Sequence, residues 1–247
     1  MKIKLKDVQK KGELTTQQIV ILIVLIVSFV IILFLIFRLN LGGTTNEEIC
    51  HNSVVLNGKS SIASGPLNCK TDYLCISGGS SCPDFSATNT ANVASGNKAQ
   101  IMKALADEMS NCWYEFGEGK VNYVSTSVLG NKACAVCSIV GFGKNLNESS
   151  ISYQDFYNYL RLTNKTGTET YLHYLYSSNN LTDFQNFYIP NYLANSINTS
   201  KEYFILTGMS KNPVSFIFGS NQIPVTIMEK TNANYNEIGC DEFLTKA

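Results

Sequence analysis

The stretch AQIMKALADEMSNCWYEFGEG, residues 99–119, has the clearest helical pattern in the part of the sequence that follows its apolar N-terminal run. Its apolar side chains recur at steps of three and four and therefore lie on one face of a helix. That face consists of Ile101, Leu105, Met109, Cys112, Trp113 and Phe116. Gly117 and Gly119 predict the end of the helix. An apolar face of this spacing is more often core than a ligand platform, so the helix is expected to pack on a sheet.

Strand patterns lie on both sides of this helix. Val121–Leu129 and Ala133–Phe142, with a turn at Gly130-Asn131, predict the hairpin on which the helix packs. The other predicted strands are Ser53–Leu56 (before a turn at Asn57-Gly58), Tyr73–Ile76, Tyr203–Met209, Val214–Phe218 and Ile223–Met228, and residues 77–98 are expected to be a loop. Ser152 with Asp155 resembles a capping box that opens a second helix, and Thr168–Tyr176 predicts a third. This order predicts an α+β domain with a largely antiparallel sheet and three or so helices.

Eight cysteines follow the apolar run: Cys50, Cys69, Cys75, Cys82, Cys112, Cys134, Cys137 and Cys240. An even number in an exported domain predicts disulfide bonds, although eight cysteines allow 105 pairings. Reduced thiols and a zinc site are the alternatives. A zinc site needs paired short spacings with histidines, whereas the sequence has one CxxC and the isolated His51 and His173.

The CAVC motif, Cys134–Cys137, lies in a strand pattern rather than at the start of a helix. Residues three apart on a strand point to opposite faces, so Cys134 and Cys137 are expected to bond to different partners. Because Cys112 adjoins the apolar helix face, we predict that it bonds to Cys134 or Cys137. The other of the two is then expected to reach a cysteine within residues 50–82 or Cys240.

The run IVILIVLIVSFVIILFLIF, Ile19–Phe37, contains no charged residue and predicts a transmembrane helix. Five lysines precede the run and Arg38 follows it, so the N-terminus is expected in the cytoplasm and the rest outside. The predicted organisation is a cytoplasmic tail (1–18), a membrane helix (19–38), a flexible stalk (39–46) and an extracytoplasmic, disulfide-linked domain (47–247). The lipid bilayer is the partner expected for Ile19–Phe37.

Charge and motifs exclude several function classes. After residue 38 the chain has 13 basic and 17 acidic residues, so it has no basic surface for nucleic acid. The sequence contains no GxSxG, HExxH or P-loop motif, and no catalytic residue, cofactor or metal site is predicted. Glu115 and Glu118 are three residues apart. We expect them to lie on the solvent-exposed face of the helix rather than to act in acid–base catalysis. Asn147, Asn164, Asn180 and Asn198 begin glycosylation sequons.

The junction Lys10-Lys11-Gly12-Glu13-Leu14-Thr15-Thr16-Gln17-Gln18 resembles the class III, prepilin-type signal of archaeal pilin-like proteins. In that family a basic residue and Gly precede the cut, and a Gln-x-Ser-x-Glu pattern often follows; here Glu13, Thr15 and Gln17 occupy the three polar positions. The resemblance covers residues 10–37 and implies cleavage after Gly12 and packing of the helix into a filament. The domain that follows resembles no characterised family.

Three functions remain open at this stage. The first is a membrane-anchored structural or binding protein of the cell surface, with a protein partner or self-assembly. The second is a pilin-like filament subunit cleaved after Gly12. The third is a membrane-tethered thiol–disulfide oxidoreductase that uses Cys134 and Cys137, which would require these two cysteines to bond to each other.

Overall fold

The structure is a computed structural model, and it describes nine parts of the chain: residues 16–38, 45–59, 67–83, 86–123, 132–146, 150–179, 195–210, 221–234 and 239–246. The chain divides into two compact units, Met1–Thr44 and Thr45–Ala247.

The first unit contains helix α1, Thr16–Arg38. Its large apolar side chains from Ile19 to Phe34 are between 37 % and 63 % exposed. Within the described residues, no helix has both the length and the apolar character that crossing a membrane requires. The prediction of an N-terminal transmembrane helix is therefore wrong.

The second unit contains four further helices and ten strands, all of which lie in the described part of the chain. The helices are α2 (Asn46–Lys59), α3 (Lys98–Glu115), α4 (Tyr153–Leu162) and α5 (Tyr171–Tyr176), and residues 232–234 form one more helical segment. The strands are β1 (Asp72–Ser77), β2 (Asn89–Asn92), β3 (Lys132–Phe142), β4 (Ser150–Ser152), β5 (Asn164–Thr166), β6 (Glu169–Thr170), β7 (Ser196–Asn198), β8 (Tyr203–Ser210), β9 (Gln222–Glu229) and β10 (Glu242–Phe243). The domain is thus α+β, with more helices than predicted.

The main sheet is mixed, with strand order β2-β1-β3-β8-β9 and β10 also paired to β3. The pairs β1–β2, β1–β3 and β3–β10 are parallel, whereas β3–β8 and β8–β9 are antiparallel. The prediction of a largely antiparallel sheet is wrong because α3 connects β1 to β3, and a helical crossover joins strands in parallel. The strand predicted for Val121–Leu129, which would form a hairpin with β3, is not confirmed. Residues 121–123 are not strand, and residues 124–131 lie outside the described residues.

Helix α3 covers one face of this sheet, as its sequence pattern predicts. Asn97 caps its start, and the Asn97 side chain accepts a hydrogen bond from the backbone N–H of Gln100. All six residues of the predicted apolar face are buried, Trp113 being 5 % exposed. They belong to the main core, which also contains apolar side chains of α2, α4 and α5. A smaller cluster of five residues lies on the other face of the sheet: Val136, Ile139, Phe204, Leu206 and Met228.

The segment before β1 differs from its prediction. Ser53–Leu56 belongs to helix α2 and is not a strand. Val54 is fully buried while Leu56 is 65 % exposed, so the helix buries one side against α3. Tertiary packing overrides the strand preference of two adjacent valines. The predicted stalk is described only from residue 45, and Asn46 already begins α2.

Candidate functional site

The eight cysteines form four disulfide bonds, as predicted. The pairs are Cys50–Cys69, Cys75–Cys82, Cys112–Cys137 and Cys134–Cys240. The bonds between α3 and β3 and between β3 and Cys240 confirm the specific prediction made for Cys112 and the CAVC cysteines. Every cysteine of the chain is bonded.

Strand β3 places its two cysteines on opposite faces. Cys137 belongs to the main core with Ala135 and Val140, whereas Val136 and Ile139 belong to the cluster on the other face. The pairing of β3 with β8 shifts register between Val136 and Ser138. Such an irregularity interrupts the alternation of faces, and it places Ser138 on the helix side directly after Cys137. The buried hydroxyl of Ser138 therefore lies under α3, directly after the Cys137 of the Cys112–Cys137 bond.

Four carboxylates from three elements lie near enough to one another in this region to interact electrostatically, and we call them the acidic cluster. They are Glu47 of α2, Asp72 of β1, and Glu108 and Glu115 of α3. Glu115 is 5 % exposed and Asp72 7 %, while Glu108 is half-buried. Asp72 and Ser138 are partners in the parallel register of β1 and β3. The cluster thus lies where α2 and α3 meet the sheet.

The charges of these carboxylates have few hydrogen-bond donors and no ion pair to stabilise them among the described residues. The Oε2 atom of Glu115 and the Oγ atom of Ser138 are buried, and neither has a hydrogen-bond partner at ordinary length among the described residues. Asp72 accepts a hydrogen bond of 3.4 Å from the Thr88 hydroxyl. The ion pairs in the described part of the chain involve none of the four carboxylates.

Burial and like charge both favour the protonated form of these groups. Burial, and after it the charges of the other three members, raises the pKa of Glu115 to about 9. Burial also raises the pKa of Glu108 to about 7, despite the lowering effect of the nearby Ser138 hydroxyl. Burial and the charge of Glu47 raise the pKa of Asp72 above its ordinary value. The arrangement can therefore hold protons at neutral pH.

The described residues around the cluster do not form a metal site, and their cysteines are not free nucleophiles. Among the described residues, no three His, Cys, Asp or Glu side chains come together in a way that would hold a metal ion. The cysteine sulfurs next to the cluster are consumed in a disulfide.

Glu118, the other member of the predicted Glu115–Glu118 pair, has different surroundings. It accepts hydrogen bonds from the Tyr174 hydroxyl at 2.8 Å and from Lys120 at 2.7 Å. Partial burial raises the pKa of Glu118, but these hydrogen bonds outweigh it and leave the pKa below its ordinary value. Glu118 also has a φ of 54°, between two glycines of positive φ. The two glutamates therefore do not form an acid–base pair.

The two histidines lie apart in local contacts. The Nδ1 atom of His51 is 2.6 Å from the carbonyl oxygen of Tyr114, and the two rings stack. His173 pairs with Glu169 at 3.1 Å. Neither arrangement resembles a zinc site, in agreement with the disulfide pairing of all eight cysteines.

Two of the four sequons are described. Asn164 is exposed in β5 and donates a hydrogen bond to the carbonyl oxygen of Gly167. Asn198 is half-buried in β7, and its Oδ1 atom accepts hydrogen bonds from the backbone N–H and hydroxyl of Ser200. Asn147 and Asn180 lie outside the described residues.

The acidic cluster is not among the sites that the sequence pattern predicts. The signal that was available is the spacing of Glu108 and Glu115, seven residues apart on the side of α3 that also holds Cys112. Residues at this spacing share a helix face. A disulfide-bonded cysteine between them on the same face indicates that this face points toward the core. Asp72 and Ser138 gave no comparable signal, since their proximity depends on the register of β1 and β3.

Comparisons with protein-family profiles, characterised sequences and solved structures give no match to this chain.

Proposed function

We propose that this chain is an extracytoplasmic protein with a structural or binding role at the cell surface. The observation that carries the proposal is the complete pairing of eight cysteines into four disulfides that connect α2, α3, β1 and β3 to other parts of the fold. Disulfides of this density persist in oxidising compartments and stabilise exported domains.

The oxidoreductase alternative has less support. Its chemistry needs Cys134 and Cys137 to exchange a bond with each other, but each is bonded to a distant cysteine. The two sulfurs are also buried, Cys134 being 0 % and Cys137 4 % exposed. A reactive cysteine is ordinarily accessible and lies in an electropositive environment. These cysteines have the features of structural ones.

Protease accessibility tests the location. Protease added to intact cells is expected to digest residues 45–247, and a cytoplasmic protein measured in the same sample must remain intact as the control. Protection of the domain, in cells whose other surface proteins are digested, would contradict an extracytoplasmic site. Chemical crosslinking on intact cells, followed by mass spectrometry, would then identify what the domain contacts.

Self-assembly through α1 is a second candidate, and the exposure of that helix favours it. Its apolar side chains from Ile19 to Phe34 are exposed on every face, whereas a helix that packs on one neighbour exposes an apolar stripe. Ser28, which interrupts the apolar run, donates its hydroxyl hydrogen to the carbonyl oxygen of Val24 and needs no outside partner. Several copies of α1 packed together would cover all of these faces.

The mature N-terminus tests this candidate. If the chain is a filament subunit of the prepilin type, the protein from its own cells should begin at Glu13, and a Gly12→Leu variant should retain Met1. The mature protein should also sediment as a large assembly after mild extraction. An unprocessed, monomeric protein would contradict the candidate, and retention of α1 in detergent micelles would indicate that lipid covers the helix.

A further inference from the structure

We propose that the acidic cluster is a proton-dependent lock, which holds α2 and α3 on the sheet while Glu115 is protonated and weakens this packing as the medium becomes alkaline. Its members come from each element that meets at this point. Helix α2 contributes Glu47, β1 contributes Asp72, and α3 contributes Glu108 beside Glu115, with Asp107 also close to Glu108. Strand β3 contributes the neutral Ser138 and the bonded Cys137.

The geometry makes an ionised Glu115 costly. Glu115 is only 5 % exposed, and its Oε2 atom has no hydrogen-bond donor among the described residues. A buried carboxylate without a cation or donor loses its hydration without compensation. Three further carboxylates near it add repulsion rather than compensation. The protonated acid has no such penalty, and its hydroxyl is itself a donor toward the surrounding oxygens.

The direction of the pH effect follows from the two states of the chain. In the unfolded chain Glu115 has its ordinary pKa of 4.5, whereas in the folded chain its pKa is about 9. Between these values the folded state holds a proton that the unfolded state has released, so stability falls as pH rises and levels off above about pH 9. Glu108, with a folded pKa of about 7, adds to the fall in the lower half of this range.

The described groups outside the cluster whose pKa is shifted do not titrate between pH 5 and pH 9. Tyr171 and Tyr174 have pKa values raised above their ordinary 10.0, so they are protonated in both states below pH 9. Glu118 and Asp155 have lowered pKa values and are ionised in both states above pH 5. Among the described groups whose pKa is shifted, only the raised acids of the cluster therefore lower the stability between pH 5 and pH 9.

The experiment measures the unfolding equilibrium of the full-length oxidised chain, in mild detergent, by denaturant titration from pH 5 to pH 9. The wild-type unfolding constant is expected to rise roughly several thousandfold between pH 6 and pH 9, mostly through Glu115. In Glu115→Gln, which keeps the shape but cannot ionise, most of this rise should disappear. Glu48→Gln is the matched control, because Glu48 is exposed on α2, and its pH dependence should equal that of the wild type.

An identical pH dependence in Glu115→Gln and the wild type would overturn the proposal. If Glu115→Gln does not fold, proton release by the wild-type chain gives the same answer. Unfolding in unbuffered denaturant at pH 7 should release roughly one to two protons per chain, from Glu115 and part of the Glu108 population. Release of no protons would overturn the proposal equally.

Discussion

Cys137 of β3 is bonded to Cys112 of α3, with 5.5 Å between their Cα atoms, and the bond joins the main helix to the central strand of the sheet. Cys134, three residues earlier on the same strand, is bonded to Cys240 on the other side. Strand β3 is thus linked covalently to the helix layer through one face and to the C-terminal segment through the other. The four disulfides should consequently differ in how much they stabilise the domain.

The first prediction ranks three of these bonds. Replacing both cysteines by Ala should cost about 5 kcal/mol for Cys134–Cys240, about 3.5 kcal/mol for Cys112–Cys137 and about 2 kcal/mol for Cys75–Cys82. The order follows from sequence separations of 106, 25 and 7, because a longer closed loop removes more entropy from the unfolded chain. Denaturant unfolding of the three double variants measures it. A largest loss for Cys75–Cys82 would contradict the ranking.

The second prediction concerns Trp113, which lies on the buried face of α3. Trp113→Ala should destabilise the domain by about 3–5 kcal/mol, because it empties a large site in a packed core. Asn111→Ala, on the exposed side of the same helix, is the matched control and should change stability by less than about 0.5 kcal/mol. Equal stability of the two variants would mean that the Trp113 side chain is not part of the core in solution.

The third prediction concerns the start of α4. The Ser152 hydroxyl oxygen accepts a hydrogen bond of 3.0 Å from the backbone N–H of Asp155 and so caps the helix. Ser152→Ala should cost about 1 kcal/mol. Ser150→Ala, at an exposed position of β4 two residues earlier, should cost little. Thermal unfolding of the two variants gives the comparison, and a larger loss for Ser150→Ala would show that the cap is not what stabilises this segment.

The parts of the fold that depend on local pattern could be predicted from the sequence. The apolar spacing from Ile101 to Phe116 identified α3 and its buried face, and the Ser152–Asp155 pair identified the start of α4. The alternation of a strand separated Cys134 from Cys137 and predicted different partners for them, and the observed bonds are among the alternatives that this left open. In each case the deciding contacts lie within one element or follow from its periodicity.

The parts that depend on pairing between distant segments could not be predicted in this way. The parallel pairing of Asp72 with Ser138 follows from a crossover through α3, and nothing within β1 or β3 alone indicates it. The acidic cluster depends on that register and on the docking of α2, where the pattern of Ser53–Leu56 predicts a strand instead. Both the cluster and the parallel pairing thus depend on contacts between distant segments.

The measurement that tests the central claim most directly is thiol alkylation of the protein isolated from its own cells. The chain is unfolded without reducing agent in the presence of an alkylating reagent and then weighed by mass spectrometry. A domain that works in an oxidising compartment, with all eight cysteines bonded, should take up no label, and digestion should yield the Cys112–Cys137 and Cys134–Cys240 peptides. Labelling of two or more cysteines, or a Cys134–Cys137 peptide, would contradict the account.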